Sequence, residues 1–308
     1  MKSVIYAKTN KTIHRIGFGA WQLNNPLWGS MSEDEGIQLV QTAIASGINF
    51  FDTAPGYANG MSEIILGKAI QGRREHVVIN TKLGHLADGT SDFSVESLES
   101  QILASLKRMQ ITYLDSAILH NPSHDILSGK TAHFQQLNQL KQKGLIRAYG
   151  VSIDTYEELM TVLNHVKVDV IEILFNVFFQ GPAQGFQLAK EKGVSLVAKV
   201  PLDSGWLTGK YNQDSIFTGI RNRWSKDVIK RRADLIEDVK QITQQNNLIG
   251  PAIGFILSFP EITAVIPGIQ SLDQLKTFVE GDFTISKTVK QQLIELNQQK
   301  IQSNPLPW

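Results

Sequence analysis

With 308 residues, 42% of them hydrophobic, the chain is long enough to bury a large core, and its 30 Lys plus Arg against 29 Asp plus Glu leave almost no net charge. That balance gives no reason to expect a polyanionic partner, so a basic nucleic-acid binder and an acidic tail protein are poor readings. The absence of cysteine excludes a disulfide framework, thiolate catalysis and any Cys-ligated zinc or iron-sulfur site. No run approaches the ~18 consecutive apolar residues of a membrane span, and the opening MKSVIYAKTNK has no apolar signal-peptide core. A cytoplasmic protein with neither membrane nor nucleic acid as partner is expected.

From the N-terminus onward, short apolar and β-branched runs alternate with stretches of helical period, the pattern of repeated βα units around a parallel sheet. An N-terminal hairpin is expected first. The expected strands are then Arg15 to Gly19, Ile48 to Asp52, Val77 to Lys82, Leu114 to His120, Arg147 to Val151, Val170 to Leu174, Val194 to Lys199 and Ala264 to Ile266. Between them, segments such as Glu35 to Ser46 and Val95 to Arg108 space apolar residues at i, i+3, i+4 and i+7. Glycine follows at Ser46-Gly47, Lys143-Gly144 and Lys192-Gly193, where a helix must stop before the next strand. Eight strands with intervening helices predict a closed (β/α)8 barrel of the α/β class. The length suits one, since ~250 residues build such a barrel and the surplus forms loops and extra helices. No Pro-, Gly- or Ser-rich linker divides the chain, so residues 1–308 are read as one domain. An open doubly wound sheet would carry a G-x-G-x-x-G turn after an early strand, and Gly17 with Gly19 makes only half of it.

In a barrel of this kind the active site lies at the C-terminal ends of the strands. Asp52 ends GINFFD, Tyr57 lies in the loop TAPGYANG, Lys82 ends VVINTK and His120 ends YLDSAILH. Coming from consecutive βα units, the four should converge on one sector of the barrel mouth. Each alone has a plainer reading: Asp52 as a loop cap, Tyr57 as a packing residue, Lys82 as a snorkelling or ion-paired lysine, His120 as a hydrogen-bonded structural imidazole. Together they suggest a specific chemistry. A Lys82 ammonium held by Asp52 is expected to lower the Tyr57 phenol from its ordinary pKa of about 10. Tyr57 would then protonate a carbonyl oxygen that His120 orients. The hydride must come from elsewhere, and no metal is required.

At these residues the chain closely resembles the aldo-keto reductase family of NAD(P)(H)-dependent (β/α)8 oxidoreductases. GINFFDTAPGYANGMSEIILGKAI (47–70) is similar to the segment around the family's catalytic Asp and Tyr, VINTKLG (78–84) to that around its catalytic Lys, and YLDSAILHNP (113–122) to that carrying its catalytic His. GLIRAYGVS (144–152), VPLDSGWLTGKY (200–211) and AVIPGIQSLDQL (264–275) resemble the cofactor-binding segments, in the family's order. The resemblance implies that Asp52, Tyr57, Lys82 and His120 form a catalytic tetrad with Tyr57 as general acid or base. It also implies a nicotinamide cofactor extended across the barrel mouth, without a Rossmann fold. Gly19, Ala20, Trp21, Asp52, Ser152, Glu172, Lys199 and Pro201 belong to the cofactor contacts so implied. Backbone near Leu202, Ser204, Gly205, Leu207 and Gly209 would meet the pyrophosphate, with Lys210 and Arg221 close by, and Gly268, Gln270 and Gln274 complete the set. Trp21, Tyr57 and His120 are the expected substrate contacts.

The chain departs from the family pattern where that pattern grips the cofactor. Ile153 stands where Asn is common, Glu172 where a Gln binds the carboxamide, and Lys199 where an aromatic residue often stacks on the nicotinamide. Thr277 and Phe278 stand where a Glu-Asn pair often holds adenine. Glu172 and Lys199, ending neighbouring strands, are expected to pair with each other beside the nicotinamide. Gln274 stands where an Arg often meets a 2'-phosphate, while the resemblance still implies NADP(H) ahead of NAD(H). Arg221, Arg223 and the run Lys230-Arg231-Arg232 offer cations for cofactor phosphates, the last three being read as the solvated face of a helix.

The expected function is therefore hydride transfer between nicotinamide and a small carbonyl or alcohol substrate: an aldehyde, ketone or sugar. The alternative is a cofactor-binding regulatory or sensor protein of the same fold with little turnover, against which the complete tetrad argues. The short tail SNPLPW predicts an open pocket, walled by Trp21, Trp28 and Trp308. Neither the substrate nor an oligomeric state is legible in these residues.

Overall fold

In the computed structural model, which describes residues 3–307, the chain opens with the expected hairpin, an antiparallel pairing of β1 (Ser3–Ile5) and β2 (Thr12–His14). The apolar runs then pair in chain order into one eight-stranded parallel sheet. Its strands are β3 (Phe18–Gly19), β4 (Phe50–Asp52), β5 (Val78–Leu83), β6 (Leu114–His120), β7 (Ile146–Ile153), β8 (Val170–Leu174), β9 (Ser195–Lys199) and β10 (Ile262–Val265). Backbone hydrogen bonds close the sheet on itself. Val265 N donates to Arg15 O at 2.8 Å, Gly17 N to Val265 O at 2.8 Å and Gly19 N to Pro267 O at 2.9 Å. The fold is the expected (β/α)8 barrel. The expected strand 15–19 is regular only over Phe18–Gly19, its earlier part joining β10 through the single bridge of Ile16 to Val265.

The helices are α1 (Glu33–Ala45), α2 (Met61–Ala69), α3 (Leu98–Met109), α4 (His124–Leu127), α5 (His133–Gln142), α6 (Tyr156–His165), α7 (Phe186–Glu191), α8 (Lys226–Thr243) and α9 (Ile249–Leu257) between strands, and α10 (Leu272–Glu280) and α11 (Lys287–Lys300) after β10. Two of them begin with complete capping boxes, Ser32 with Glu35 on α1 and Thr155 with Glu158 on α6. Gly47, Gly144 and Gly193 take φ of 94°, 80° and 68° where the preceding helices stop, as their positions predict. No helix among the described residues is long and apolar enough to cross a membrane.

The strand period of two divides each strand between the helix layer and the barrel interior. Phe50, Val78, Ile118, Ala148, Val170, Val197 and Ala264 form a fully buried interior cluster separate from the larger one under the helices. Tyr6, just after β1, closes the floor of the barrel. Its ring lies 4.9 Å from that of Phe50 and its hydroxyl is hydrogen-bonded to Ser116 Oγ at 2.7 Å. A floor packed this way leaves the other end of the barrel as the place for a cavity.

Candidate active site

Counting on in twos from the apolar interior cluster leads to Asp52 on β4, Asn80 and Lys82 on β5, His120 on β6, Ser152 on β7, Glu172 on β8 and Lys199 on β9. These side chains continue the inward face, so the interior changes from apolar to ionic toward the C-terminal strand ends. Lys82 keeps 1% of its surface exposed. Its ammonium contacts Asp52 Oδ1, donates to Thr53 O at 3.1 Å and to the Tyr57 hydroxyl at 3.3 Å, and lies 3.4 Å from Glu172 Oε2. Asp52 Oδ2 accepts from Asn80 Nδ2 at 2.6 Å, and Asn80 Oδ1 accepts from Ser116 Oγ at 2.5 Å. The carboxylate is thus fixed from the floor upward.

Tyr57 reaches the same point from the loop after β4. Ala58, Asn59 and Gly60 take φ of 48°, 53° and 87°, a left-handed run that costs on the order of 1 to 2 kcal/mol at the alanine. The turn lays the phenol over Lys82, whose Nζ is 5.1 Å from the ring centre. His120 stands edge-on to Tyr57 with ring centres 6.5 Å apart. The structure therefore brings together all four residues singled out at the strand ends.

Burial governs the charges. It would strip Lys82 of its proton, but Asp52 and Glu172 together hold the ammonium well above its ordinary range. Burial, with the neighbouring Glu172 charge, pushes Asp52 up to about 8 against the pull of Lys82. For Glu172 the attraction of Lys82 and Lys199 outweighs burial and holds the carboxyl below its usual value. The same burial, outweighing the Lys82 ammonium, pushes Tyr57 up to about 12. This corrects the expectation of a lowered phenol pKa: Tyr57 is a protonated acid at neutral pH. Burial, reinforced by Lys82, Lys199 and His85, holds His120 well below its usual range, so its imidazole is neutral.

The four residues stand at a cavity of about 900 Å³, with Asp52, Tyr57 and His120 in its wall and Lys82 behind it. Trp21 lines it beside Gly19 and Ala20, its ring 6.1 Å from Tyr57 and 5.1 Å from Trp28. Pro201, Leu202, Ser204, Gly205, Lys210 and Arg221 line it from the segment after β9. Gly268, Gln270, Gln274, Thr277 and Phe278 line it from the segment after β10. Leu207 and Gly209 do not: Leu207 is fully buried behind the loop and Gly209 packs against the Asn246 backbone. Ser152 is likewise buried behind the wall. Trp308 lies outside the described residues.

Glu172 and Lys199 do not pair directly, contrary to expectation, and strand register explains it. Glu172 sits opposite Val197 and level with Ser152, whereas Lys199 sits opposite Leu174, one layer nearer the mouth. Ser152 Oγ links the two, accepting from Lys199 Nζ at 2.8 Å and donating to Glu172 Oε1 at 3.2 Å. Lys199 forms its ion pair with Asp154 at 2.9 Å and also donates to Asn121 Oδ1 at 3.3 Å. Asn80, His85, Asn121 and Asp154 were not singled out from the sequence. Strand parity with Lys82 marks Asn80, but nothing local marks the other three.

The stretch 200–209 has the backbone expected of an anion-binding loop. Val200, Asp203, Ser204 and Gly205 take φ of 53°, 46°, 55° and 100°, and such mixed-handed stretches turn neighbouring amides toward an anion. A β-branched residue with positive φ is a marked outlier; here Asn176 Nδ2 anchors Val200 O at 2.9 Å. At Gly205 a Cβ would stand 3.3 Å from Arg221 Nη2 as well as needing the left-handed backbone. Arg221 donates to Ser204 O at 2.8 Å and stacks over Trp28, 4.7 Å from its ring centre, which ties the loop to the tryptophan wall.

Behind the loop, Asp203 forms a fully buried ion pair with Arg232 of α8. Arg232 also donates to Pro307 O at 2.8 Å. The run 230–232 is therefore split: Lys230 pairs with Asp234 on the exposed face, while Arg232 points inward, which corrects its reading as a solvated residue. The tail after α11 is drawn under the loop by the same contact, with Leu306 buried.

The family model described as Aldo/keto reductase family matches residues 15–297. An NADH-specific methylglyoxal reductase of Escherichia coli (strain K12) is 27% identical over 299 residues, covering 90% of this chain and 92% of that protein. An aldo-keto reductase of Bacillus subtilis (strain 168) is 29% identical over 298 residues, covering 91% and 88%. Among solved structures, the holo form of an aldo-keto reductase from Bacillus halodurans superposes with a TM-score of 0.81 over 96% of each chain at 24% identity, which speaks for the fold. The family match spans the barrel strands and every residue of the ionic cluster at its mouth, and the chain is a member of the aldo/keto reductase family of oxidoreductases.

Proposed function

We propose that the protein reduces a small aldehyde, ketone or sugar carbonyl with a nicotinamide dinucleotide, using Tyr57 as the general acid. The observation that carries this reading is the Tyr57 hydroxyl, 3.3 Å from a buried ammonium at the wall of a cavity large enough for a dinucleotide and a small carbonyl. The residues present suit the cofactor: a mixed-handed loop for the pyrophosphate, polar Gln270 and Gln274 beyond it, and Glu172 and Lys199 in the cavity wall beside the tetrad. A bound reduced nicotinamide supplies the hydride to the carbonyl carbon. Tyr57 gives its phenolic proton to the carbonyl oxygen, and the Lys82 ammonium stabilises the phenolate that remains. Neutral His120 orients the carbonyl, and Asp52 keeps Lys82 in place. Trp21, Tyr57 and His120 form the substrate wall.

The adenosine end favours NAD(H) over NADP(H) in this reading. Gln274 is uncharged and its Oε1 is already occupied by Gln270 N at 3.0 Å, so the cation suited to a 2'-phosphate is missing from that position. Gln274→Arg should tighten NADPH binding by about tenfold, the size of one charge-assisted contact, with NADH affinity unchanged. Titration of both nucleotides checks this, and an unaltered ratio would count against Gln274 as the discriminating position.

Trp21 and Trp28 at the cavity make intrinsic fluorescence a direct reporter. Titration with NADH and NADPH, followed by turnover of a carbonyl panel, tests the whole proposal. Saturable quenching together with carbonyl-dependent oxidation of the nucleotide supports it. Binding of neither nucleotide would overturn it, and binding without turnover of any carbonyl would favour the regulatory alternative.

A further inference from the structure

Beneath the cavity wall, two carboxylates share one ammonium. Asp52 and Glu172 both form ion pairs with the buried Lys82, Glu172 Oε2 standing 3.4 Å from its ammonium. Glu172 Oε2 is buried without a well-aligned hydrogen bond, and its cationic neighbour Lys82 is already the partner of Asp52. One proton held between the two carboxyls supplies the donor that Glu172 Oε2 lacks. Charge counting agrees: with Lys199 already paired to Asp154 and His120 neutral, the inner cluster would be left with an uncompensated negative charge if both acids ionised.

Glu172 lines the cavity, so a ligand placed there can alter this balance. We infer that Glu172 makes nucleotide binding proton-linked and redox-selective: an oxidised, cationic nicotinamide displaces the proton shared with Asp52, and a neutral reduced one does not. The inference rests on the nicotinamide reading above. A cation beside Glu172 does electrostatically what the shared proton does, so the two compete. The charged or titratable groups facing the pair are Lys82 on β5, Tyr57 on the β4 loop, His120 on β6, Asp154 after β7, Lys199 on β9 and Tyr6 on the floor. Lys82 stays charged and the two tyrosines stay neutral through the relevant range. Asp52, titrating near 8, is the group whose proton is exchanged.

The linkage has a definite sign. Below pH 8 the free protein holds the extra proton and must release it to bind the oxidised nucleotide, so that affinity rises with pH, up to ~tenfold per unit for one proton. The reduced nucleotide has no such dependence. Both members of a redox pair carry the same phosphates, so phosphate titration cancels in the comparison. The experiment is calorimetric titration of the wild-type protein with NAD+ and NADH, or NADP+ and NADPH if those bind, between pH 6 and 8. Buffers of different ionisation enthalpy count the protons.

The expected result is release approaching one proton on binding the oxidised form and none on binding the reduced form. In Glu172→Gln, which leaves Asp52 and Lys82 as a balanced pair, the oxidised form should bind without proton release and with no pH slope. Binding of the reduced form by the variant shows that its site is folded. Equal proton release for the two redox forms in the wild type, or an unchanged slope in Glu172→Gln, would overturn the inference while leaving the proposed function standing. Failure of both redox forms to bind the wild type would overturn both, whereas binding of the reduced form alone would overturn only the inference.

Discussion

Tyr57→Phe is expected to lower kcat for carbonyl reduction by about 10² to 10⁴, the range that one positioned proton donor supplies, while leaving nucleotide affinity intact. The two parts of that result come from different atoms. The hydroxyl is the group 3.3 Å from Lys82 that carries the transferable proton, whereas the ring packs against Trp21 and His120 and survives the substitution. Fluorescence titration and steady-state turnover on the same samples check both. Loss of nucleotide binding in step with turnover would assign the hydroxyl a structural role, and unchanged turnover would remove Tyr57 as the acid.

Asp203→Asn is expected to cost about 3 to 5 kcal/mol of stability, because it strands the Arg232 guanidinium without its carboxylate in a fully buried site. Arg232→Met should cost less. A guanidinium cannot shed its proton near neutrality, but Asp203, already pushed up to about 6 by burial despite Arg232, can become neutral once its partner is gone. The pH dependence of the Arg232→Met variant follows from the same asymmetry. A carboxyl whose folded pKa exceeds its unfolded value contributes stability at low pH that is lost as pH rises, so the variant recovers relative to wild type on going from pH 7 to pH 5. Denaturant unfolding of the three proteins at the two pH values measures this. Equal losses for the two variants would mean that the pair is not insulated from water.

The Asp203–Arg232 pair also bears on function. Asp203 belongs to the left-handed stretch of the loop, and Arg232 joins it to α8 and to the carbonyl of Pro307. The aromatic rings of Trp206 and Trp224, 5.9 Å apart, pack against the same joint, with the Arg232 guanidinium 5.1 Å from Trp224. Loosening the pair should therefore weaken nucleotide binding in Asp203→Asn even at temperatures where the barrel remains folded.

Much of the site was legible because the relevant rules are local. Strand parity and the position of strand ends suffice to aim Asp52, Lys82 and His120 into one mouth, and the glycines at 47, 144 and 193 mark where helices stop. These depend on spacing along the chain, which the amino-acid order determines by itself. The resemblance carried the rest of the tetrad assignment, since a loop Tyr has no periodic signature of its own.

The remaining features arise where side chains from distant segments meet in low dielectric. The register of β8 against β9, offset by one layer, gave Glu172 to Lys82 and Asp52 and gave Lys199 to Asp154. The inward face of α8 turned Arg232 from a surface cation into the partner of Asp203, 29 residues away. Burial reversed the expected shift at Tyr57, because desolvation of a phenol outweighs one neighbouring ammonium that two carboxylates already compensate. Spacing along the chain aims the polar residues at the strand ends into the barrel mouth; depth and register in the packed barrel add His85, Asn121 and Asp154 to them and set which residues share a charge.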